Sequence, residues 1–264
     1  MRFIVSIFLA YSALWTLTES VSFFYPDLSL KGLILHLIFI GVSIVIGVAR
    51  VYQPRHISIK VNTSDTILNI YYGDIFRQNG YTAISVNEYF DSELGEPVSE
   101  HSLHGMVIKN YFGGYSESFN NVVQTDLKNY SFEEVERVRG NKRKYSIGTT
   151  AKIIANKHKF LLFALSFTDI KTYKASSDLL TMIIAMQGLF KRSRDCTGGE
   201  KLNIPLIGSG ISGVGLPATQ LLQLIVLLII DETKKKQICK EIDLVLSESR
   251  FDEIDLETIK KQWV

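Results

Sequence analysis

Residues 203–217 read Asn-Ile-Pro-Leu-Ile-Gly-Ser-Gly-Ile-Ser-Gly-Val-Gly-Leu-Pro, an apolar stretch running into four glycines, at 208, 210, 213 and 215. Without Cβ atoms in the way, the main chain there can approach a ligand and turn its N–H groups toward it. Pro217 suits the first position of a following helix, where a missing N–H leaves nothing unpaired. Strand, glycine loop and helix start together gather free N–H donors and the positive end of a helix dipole at one place. That arrangement holds phosphate, and pyrophosphate is its natural guest.

The spacing Gly208-x-Gly210-x-x-Gly213 also meets the literal dinucleotide fingerprint of Rossmann folds. That fingerprint normally opens the first βαβ unit and is followed about 20 residues on by an acid at the end of the next strand. In this chain the loop comes late and Asp231 closes the helix after it, so the Rossmann reading fits poorly. Glu88, Asp91, Glu93 and Glu96 invite a paired-carboxylate reading. Clustered acids in a loop with Gly95 and Pro97 are read instead as solvated surface, and no catalytic residue is assigned. The run Arg-Val-Arg-Gly-Asn-Lys-Arg-Lys at 137–144 is likewise read as a solvated loop, one that could touch anionic lipid headgroups. Cys196 and Cys239 offer neither metal-ligand spacing nor a disulfide framework, in keeping with a reducing cytosol; no metal and no cofactor are expected. A net charge of +2 gives no reason to expect nucleic acid.

Alternating strands and helices must position these residues. Strand-like content falls at 56–61, 66–72 and 82–87, and helices are expected at 99–112 and 117–129. Residues 149–155 and 159–167 read as a strand pair split by Asn156-Lys157-His158. Leu179–Phe190 reads as a helix, Leu202–Ile207 as the strand feeding the glycine loop, and Pro217–Ile230 as a buried apolar helix. A strand at Ile238–Leu246 and a helix at Asp252–Gln262 complete one α/β unit of about 210 residues, 56–264, with a mixed sheet and flanking helices.

Residues 1–55 differ in kind. Phe3–Thr18 and Gly32–Ala49 carry no charged side chain and, as helices, would reach roughly 24 and 27 Å, just enough to span a bilayer. A cleaved signal peptide ranks lower, because Ala-Tyr-Ser-Ala at 10–13 is a poor cleavage site and a second apolar segment follows at once. Arg2, Arg50 and Arg55 flank the pair, while the turn between holds Glu19, Asp27 and only Lys31, which places both chain termini in the cytoplasm. Pro26, Asp27 and Ser29 supply turn chemistry, and Trp15, Phe23, Phe24 and Tyr25 suit an interfacial belt. Ser6/Ala10 and Ser43/Gly47 have the small-xxx-small spacing of close helix packing, within a hairpin or between copies. His36 is the one ionisable residue in either span, and its role stays open between an inter-helix contact and a pore-lining or proton-sensitive one.

Ile-Tyr-Tyr-Gly-Asp-Ile-Phe at 70–76, followed by Tyr-Thr-Ala-Ile-Ser-Val-Asn at 81–87, resembles the opening of a macro domain, and Ile-Pro-Leu-Ile-Gly-Ser-Gly-Ile-Ser-Gly at 204–213 is similar to that family's phosphate loop. The resemblance implies an ADP-ribose-type ligand. Asp74 would accept from the adenine amino group, the Ile75 amide would meet the ring, and Gly208, Ser209, Gly210, Ile211, Ser212 and Gly213 would wrap the diphosphate and distal ribose. Hydrolytic macro domains follow the strand with Asn-Ala-Ala-Asn and a glycine run; this chain keeps only Asn87, then reads Glu-Tyr-Phe-Asp-Ser-Glu-Leu-Gly-Glu-Pro. Binding without turnover is therefore expected. A membrane hairpin joined to a macro-like domain resembles the transmembrane-macro effectors of type II Thoeris, a bacterial antiphage system. This implies a bacterial inner-membrane protein whose partner, an NAD-consuming TIR-domain enzyme, supplies an ADP-ribose conjugate such as histidine-ADP-ribose. Ligand binding would drive homo-oligomerisation and membrane disruption. An anchored ADP-ribosyl hydrolase and a passive reader of ADP-ribosylated proteins remain the alternatives.

Overall fold

The computed structural model describes residues 2–25, 32–62, 64–210 and 213–263. The chain divides into two units, Met1–Pro54 and Arg55–Val264.

The first unit holds α1 (Arg2–Phe24) and α2 (Leu33–Val51). Tyr11 meets Phe39 and Trp15 meets His36 edge to face, while Ile7 lies against Gly47, so the two helices run antiparallel. A Cβ at Gly47 would come within 2.6 Å of Ile7 Cγ1, and Ala10 and Ser43 are buried in the same seam. The first helix runs past the expected boundary at Thr18 and includes Glu19; its stretch Phe3–Phe24 is long and apolar enough to cross a membrane. The apolar part of the second, Leu33–Ala49, is shorter, at 17 residues. Pro26, Asp27, Ser29 and Lys31 lie outside the described residues.

The second unit is a mixed sheet with helices on both faces. Its strands are β1 (His56–Lys60), β2 (Ile67–Tyr72), β3 (Tyr81–Asn87), a two-residue pair β4 (Glu133–Glu134) and β5 (Arg143–Lys144), β6 (Thr150–Ala155), β7 (His158–Thr168), β8 (Ala175–Ser176), β9 (Leu202–Pro205) and β10 (Glu241–Leu246). Its helices are α3 (Leu103–Tyr111), α4 (Ser116–Asp126), α5 (Leu179–Cys196), α6 (Ala218–Lys235) and α7 (Leu256–Trp263). The main sheet has the order β1-β2-β10-β9-β3-β7-β6, with β8 beside β7 and β4–β5 forming a separate ribbon. From β2 to β7 all neighbours are parallel; β1 and β6 close the edges antiparallel.

The period of two along β7 builds both cores at once. Leu161, Phe163 and Leu165 join the cluster under α5, α6 and α7, while Phe160, Leu162 and Ala164 join the one under α3 and α4. Helix starts follow local chemistry: the Ser102 hydroxyl accepts from Gly105 N at 3.0 Å, and Asp178 Oδ1 accepts from Thr181 N at 2.8 Å. Pro217 is one position earlier than expected. It is extended (φ −56°, ψ 147°) and caps α6, its carbonyl accepting from Leu221 N at 3.0 Å.

Candidate ligand-binding site

The sheet itself marks where a ligand belongs. β3 and β9 pair only at Tyr81–Leu202 and Thr82–Asn203, whereas β3 pairs with β7 along its whole length. The chain leaves β3 toward α3 and α4 on one face and leaves β9 toward α6 on the other. Neighbouring parallel strands whose connections part to opposite faces leave a crevice at their carboxyl ends, the usual ligand position in such sheets.

The glycine loop follows β9 at that point. Gly208 has φ +80°, and its carbonyl accepts from Val214 N at 3.0 Å to close the turn. A Cβ at Gly213 would lie 2.8 Å from Gly210 O and 2.9 Å from Gly208 O, so the turn itself demands glycine there. Gly210 is different: a Cβ built on it meets nothing within 4 Å among the described residues, and its backbone is not in the left-handed region. Ser209 Oγ donates back to Leu206 O at 2.8 Å, and Arg250 Nη2 donates to Ser209 O at 3.3 Å. Ile211 and Ser212 lie outside the described residues.

Asp74 follows the carboxyl end of β2. Its Oδ1 accepts from Phe76 N at 2.9 Å, capping a single 3-10 turn at Ile75–Arg77, and its Oδ2 lies 3.4 Å from Arg77 Nε. Ile75 is buried. Residues 74–80 cover a polar layer on β2, β10 and β9: the Tyr71 hydroxyl is 2.8 Å from both Gln78 Oε1 and Asp243 Oδ2, and Asn203 Nδ2 donates to Asn79 O at 2.8 Å. Burial, reinforced by Asp243, pushes the Tyr71 phenol well above its ordinary value.

Asn87, at the end of β3, is buried and bonded on both its nitrogen and its oxygen. Its Nδ2 donates to Asp91 Oδ2 at 2.8 Å and its Oδ1 accepts from Asp91 N at 3.1 Å. Two sequence expectations are corrected here. Glu88 and Asp91 are buried rather than solvated, and so is Arg137, from the run read as a surface loop. The reason is mutual: Arg137 and Asp91 neutralise each other, with side chains 0% exposed and Nη1 2.9 Å from Oδ2. Asn141 N adds a 2.7 Å bond to Asp91 Oδ1, and Asn141 Nδ2 holds Phe90 O at 2.8 Å. Burial pushes the Asp91 carboxyl up, and the Arg137 guanidinium leads the groups opposing that. Burial also raises Glu88, whose Oε1 accepts from Thr168 N at 3.0 Å. Tyr89 and Tyr173 flank the guanidinium, with ring centroids 4.1 and 5.5 Å from its carbon.

Asp74, Asn87 and the glycine loop thus stand at carboxyl ends of strands in one sheet. Sequence reasoning missed Arg137, Asn141 and Arg250; the one available signal was Gly140-Asn141 within the basic run, a turn pair that folds the run back on itself. A separate cavity of ≈ 380 Å³, lined by Arg77, Lys157, His158 and Lys159 among others, lies at the amino ends of β3 and β7. Among the described residues no group of His, Cys, Asp and Glu is placed to hold a metal ion.

Sheet order and two-faced helical cover are those of a macro domain. A solved macrodomain of Oceanobacillus iheyensis with MES bound superposes with a TM-score of 0.54 at 12% identity, over 80% of this chain and 98% of its own. The same macrodomain with ADP gives 0.53 at 13% identity, over 79% and 98%. Within that class the match is narrower: the family described as Thoeris protein ThsA, Macro domain, fits residues 68–247, and the Thoeris protein ThsA of Bacillus amyloliquefaciens (strain Y2) is 31% identical over 216 residues, 77% of this chain and 70% of its own length. The chain belongs to the Thoeris ThsA macro-domain family.

Proposed function

We propose that residues 56–264 are a receptor for an ADP-ribose-derived signal and that residues 1–55 form a membrane hairpin that carries its output in antiphage defence. The observation that carries the reading is Gly210. At the parting of β3 and β9, the loop keeps a glycine whose Cβ would meet nothing within 4 Å among the described residues, room that suits close approach of a ligand. Asp74 then accepts from the adenine amino group through its Oδ2, whose partner among the described residues is an exposed arginine. The Ile75 N–H meets the ring, and the backbone from Gly208 through Gly213, with Ser209, Ile211 and Ser212, wraps the diphosphate. Asn87 borders the distal ribose. Because its amide is committed to Asp91, binding without turnover is the better reading than hydrolysis.

The signal is an ADP-ribose conjugate, such as histidine-ADP-ribose, made by an NAD-consuming TIR-domain partner. The hairpin sits in the bacterial inner membrane with both termini cytoplasmic, and signal binding favours a homo-oligomer that disrupts the bilayer. The apolar length of α1 and the close seam at Ala10, Ser43 and Gly47 support this. The ligand must bind the assembled state more tightly than the resting one, or it shifts nothing. Full-length chain in liposomes should associate and release trapped dye when the conjugate is added, and Gly47→Leu should blunt release with ligand affinity unchanged. Binding without any change in assembly or leakage would favour a passive reader of ADP-ribosylated proteins.

A further inference from the structure

The Asp91–Arg137 pair uses only part of the guanidinium. Nη1 alone makes every recorded hydrogen bond: to Asp91 Oδ1 at 3.1 Å, Asp91 Oδ2 at 2.9 Å and Asn141 O at 3.3 Å. Nε and Nη2 are buried and have no partner among the described residues. Flanking rings do not supply one. Tyr89 and Tyr173 act on the charge, whereas the N–H bonds lie in the guanidinium plane and need acceptors. Two more buried polar atoms nearby in the fold are also unpartnered, Glu88 Oε2 after β3 and Thr168 Oγ1 at the end of β7. Native proteins leave few such atoms, because each costs its full desolvation penalty.

Nε and Nη2 form one edge of the guanidinium fork, whose spacing matches the two oxygens of a carboxylate. The edge belongs to the loop system that Asp91 ties to Asn87, at the carboxyl end of β3. Tyr173 flanks it from an otherwise exposed turn, 169–174, so a ligand could be admitted by displacing one half-buried ring rather than the core.

We propose that the Nε/Nη2 edge of Arg137 is a subsite for a carboxylate carried on the distal-ribose side of the ligand, so that the protein prefers carboxylate-bearing ADP-ribose conjugates to uncharged ones. This rests on the receptor reading above and deepens it by naming what the altered loop after β3 recognises.

The test measures affinities of the full-length chain in detergent for three probes: ADP-ribose, ADP-ribose with a carboxylate-terminated substituent on the distal ribose, and the matching carboxamide. The carboxylate should bind at least tenfold more tightly than the carboxamide. Arg137→Lys, which keeps a counter-charge for Asp91 but cannot fork, should cut that preference below threefold. Where Arg137→Lys does not fold, the probe series on the unaltered chain decides alone. Carboxylate and carboxamide binding within twofold of each other, while ADP-ribose binds, overturns the subsite and spares the receptor reading. Failure of all three probes to bind removes both.

Discussion

One nitrogen of Arg137, Nη1, spans both carboxylate oxygens of Asp91, and the two fully buried side chains come from positions 46 residues apart in sequence. The pair clamps the loop after β3 to the segment 137–141 and fixes Asn87 through the same carboxylate. Removing one partner strands a buried charge, which typically costs about 3–5 kcal/mol. Asp91→Asn and Arg137→Gln should each be strongly destabilising, and the double variant should cost clearly less than their sum. Urea denaturation of the full chain measures all three; strict additivity would contradict a coupled pair.

Gly140 makes that clamp possible. It has φ +78°, and a Cβ there would stand 2.2 Å from Asp91 Oδ1 and 3.2 Å from Arg137 Cζ. Gly140→Ala combines backbone strain with overpacking and should lower stability by about 1–3 kcal/mol. A variant as stable as the parent in thermal denaturation would mean that the turn is built otherwise.

His104 sets an acid-side dependence. Burial pulls its imidazole from 6.5 down to about 3, and its ring lies 5.5 Å from that of Phe119. As pH falls through 6.5 the unfolded chain takes a proton that the folded protein refuses until about 3. The unfolded state therefore binds more protons in that window, and stability declines with falling pH by up to ~1.4 kcal/mol per unit. His104→Leu should reduce the loss between pH 7 and pH 5 by about 2 kcal/mol. An unchanged pH profile would show that His104 takes up its proton equally in the folded and unfolded states.

Asp74 has two separable tasks, and Asp74→Asn divides them. Asparagine caps as well as aspartate, so the turn at Ile75–Arg77 and the overall stability should persist. The charge on Oδ2 is lost, and affinity for ADP-ribose should fall roughly 10- to 100-fold, the worth of a charged hydrogen bond of about 1.5–3 kcal/mol. Equal affinity would leave Asp74 a capping residue only.

Much of this was legible in the chain because it is local. Strand and helix periods placed nearly every long element within a few residues, and the glycine loop announced a strand-to-helix turn. The clamp was not legible. Asp91 and Arg137 each sit in a run of charge that looks solvated by itself, and only the fold, by bringing the loop after β3 against 137–141, makes them a buried pair. Asn87 shows the same limit: its type and position were readable, but its commitment to Asp91 is a property of packing. The short strands β4, β5 and β8, two residues each, carry too little pattern to be read.

The central claim is that the glycine loop after β9 receives the diphosphate of an ADP-ribose-type ligand, and Gly210 tests it most directly because the fold leaves that position open. Calorimetric titration of the full-length chain in detergent with ADP-ribose, for the parent and for Gly210→Val, is the measurement. The account predicts saturable binding to the parent, at least a hundredfold weaker binding to Gly210→Val, and unchanged thermal stability of the variant without ligand. A Gly210→Val protein that remains folded and binds ADP-ribose like the parent, or a parent that binds none, would contradict it.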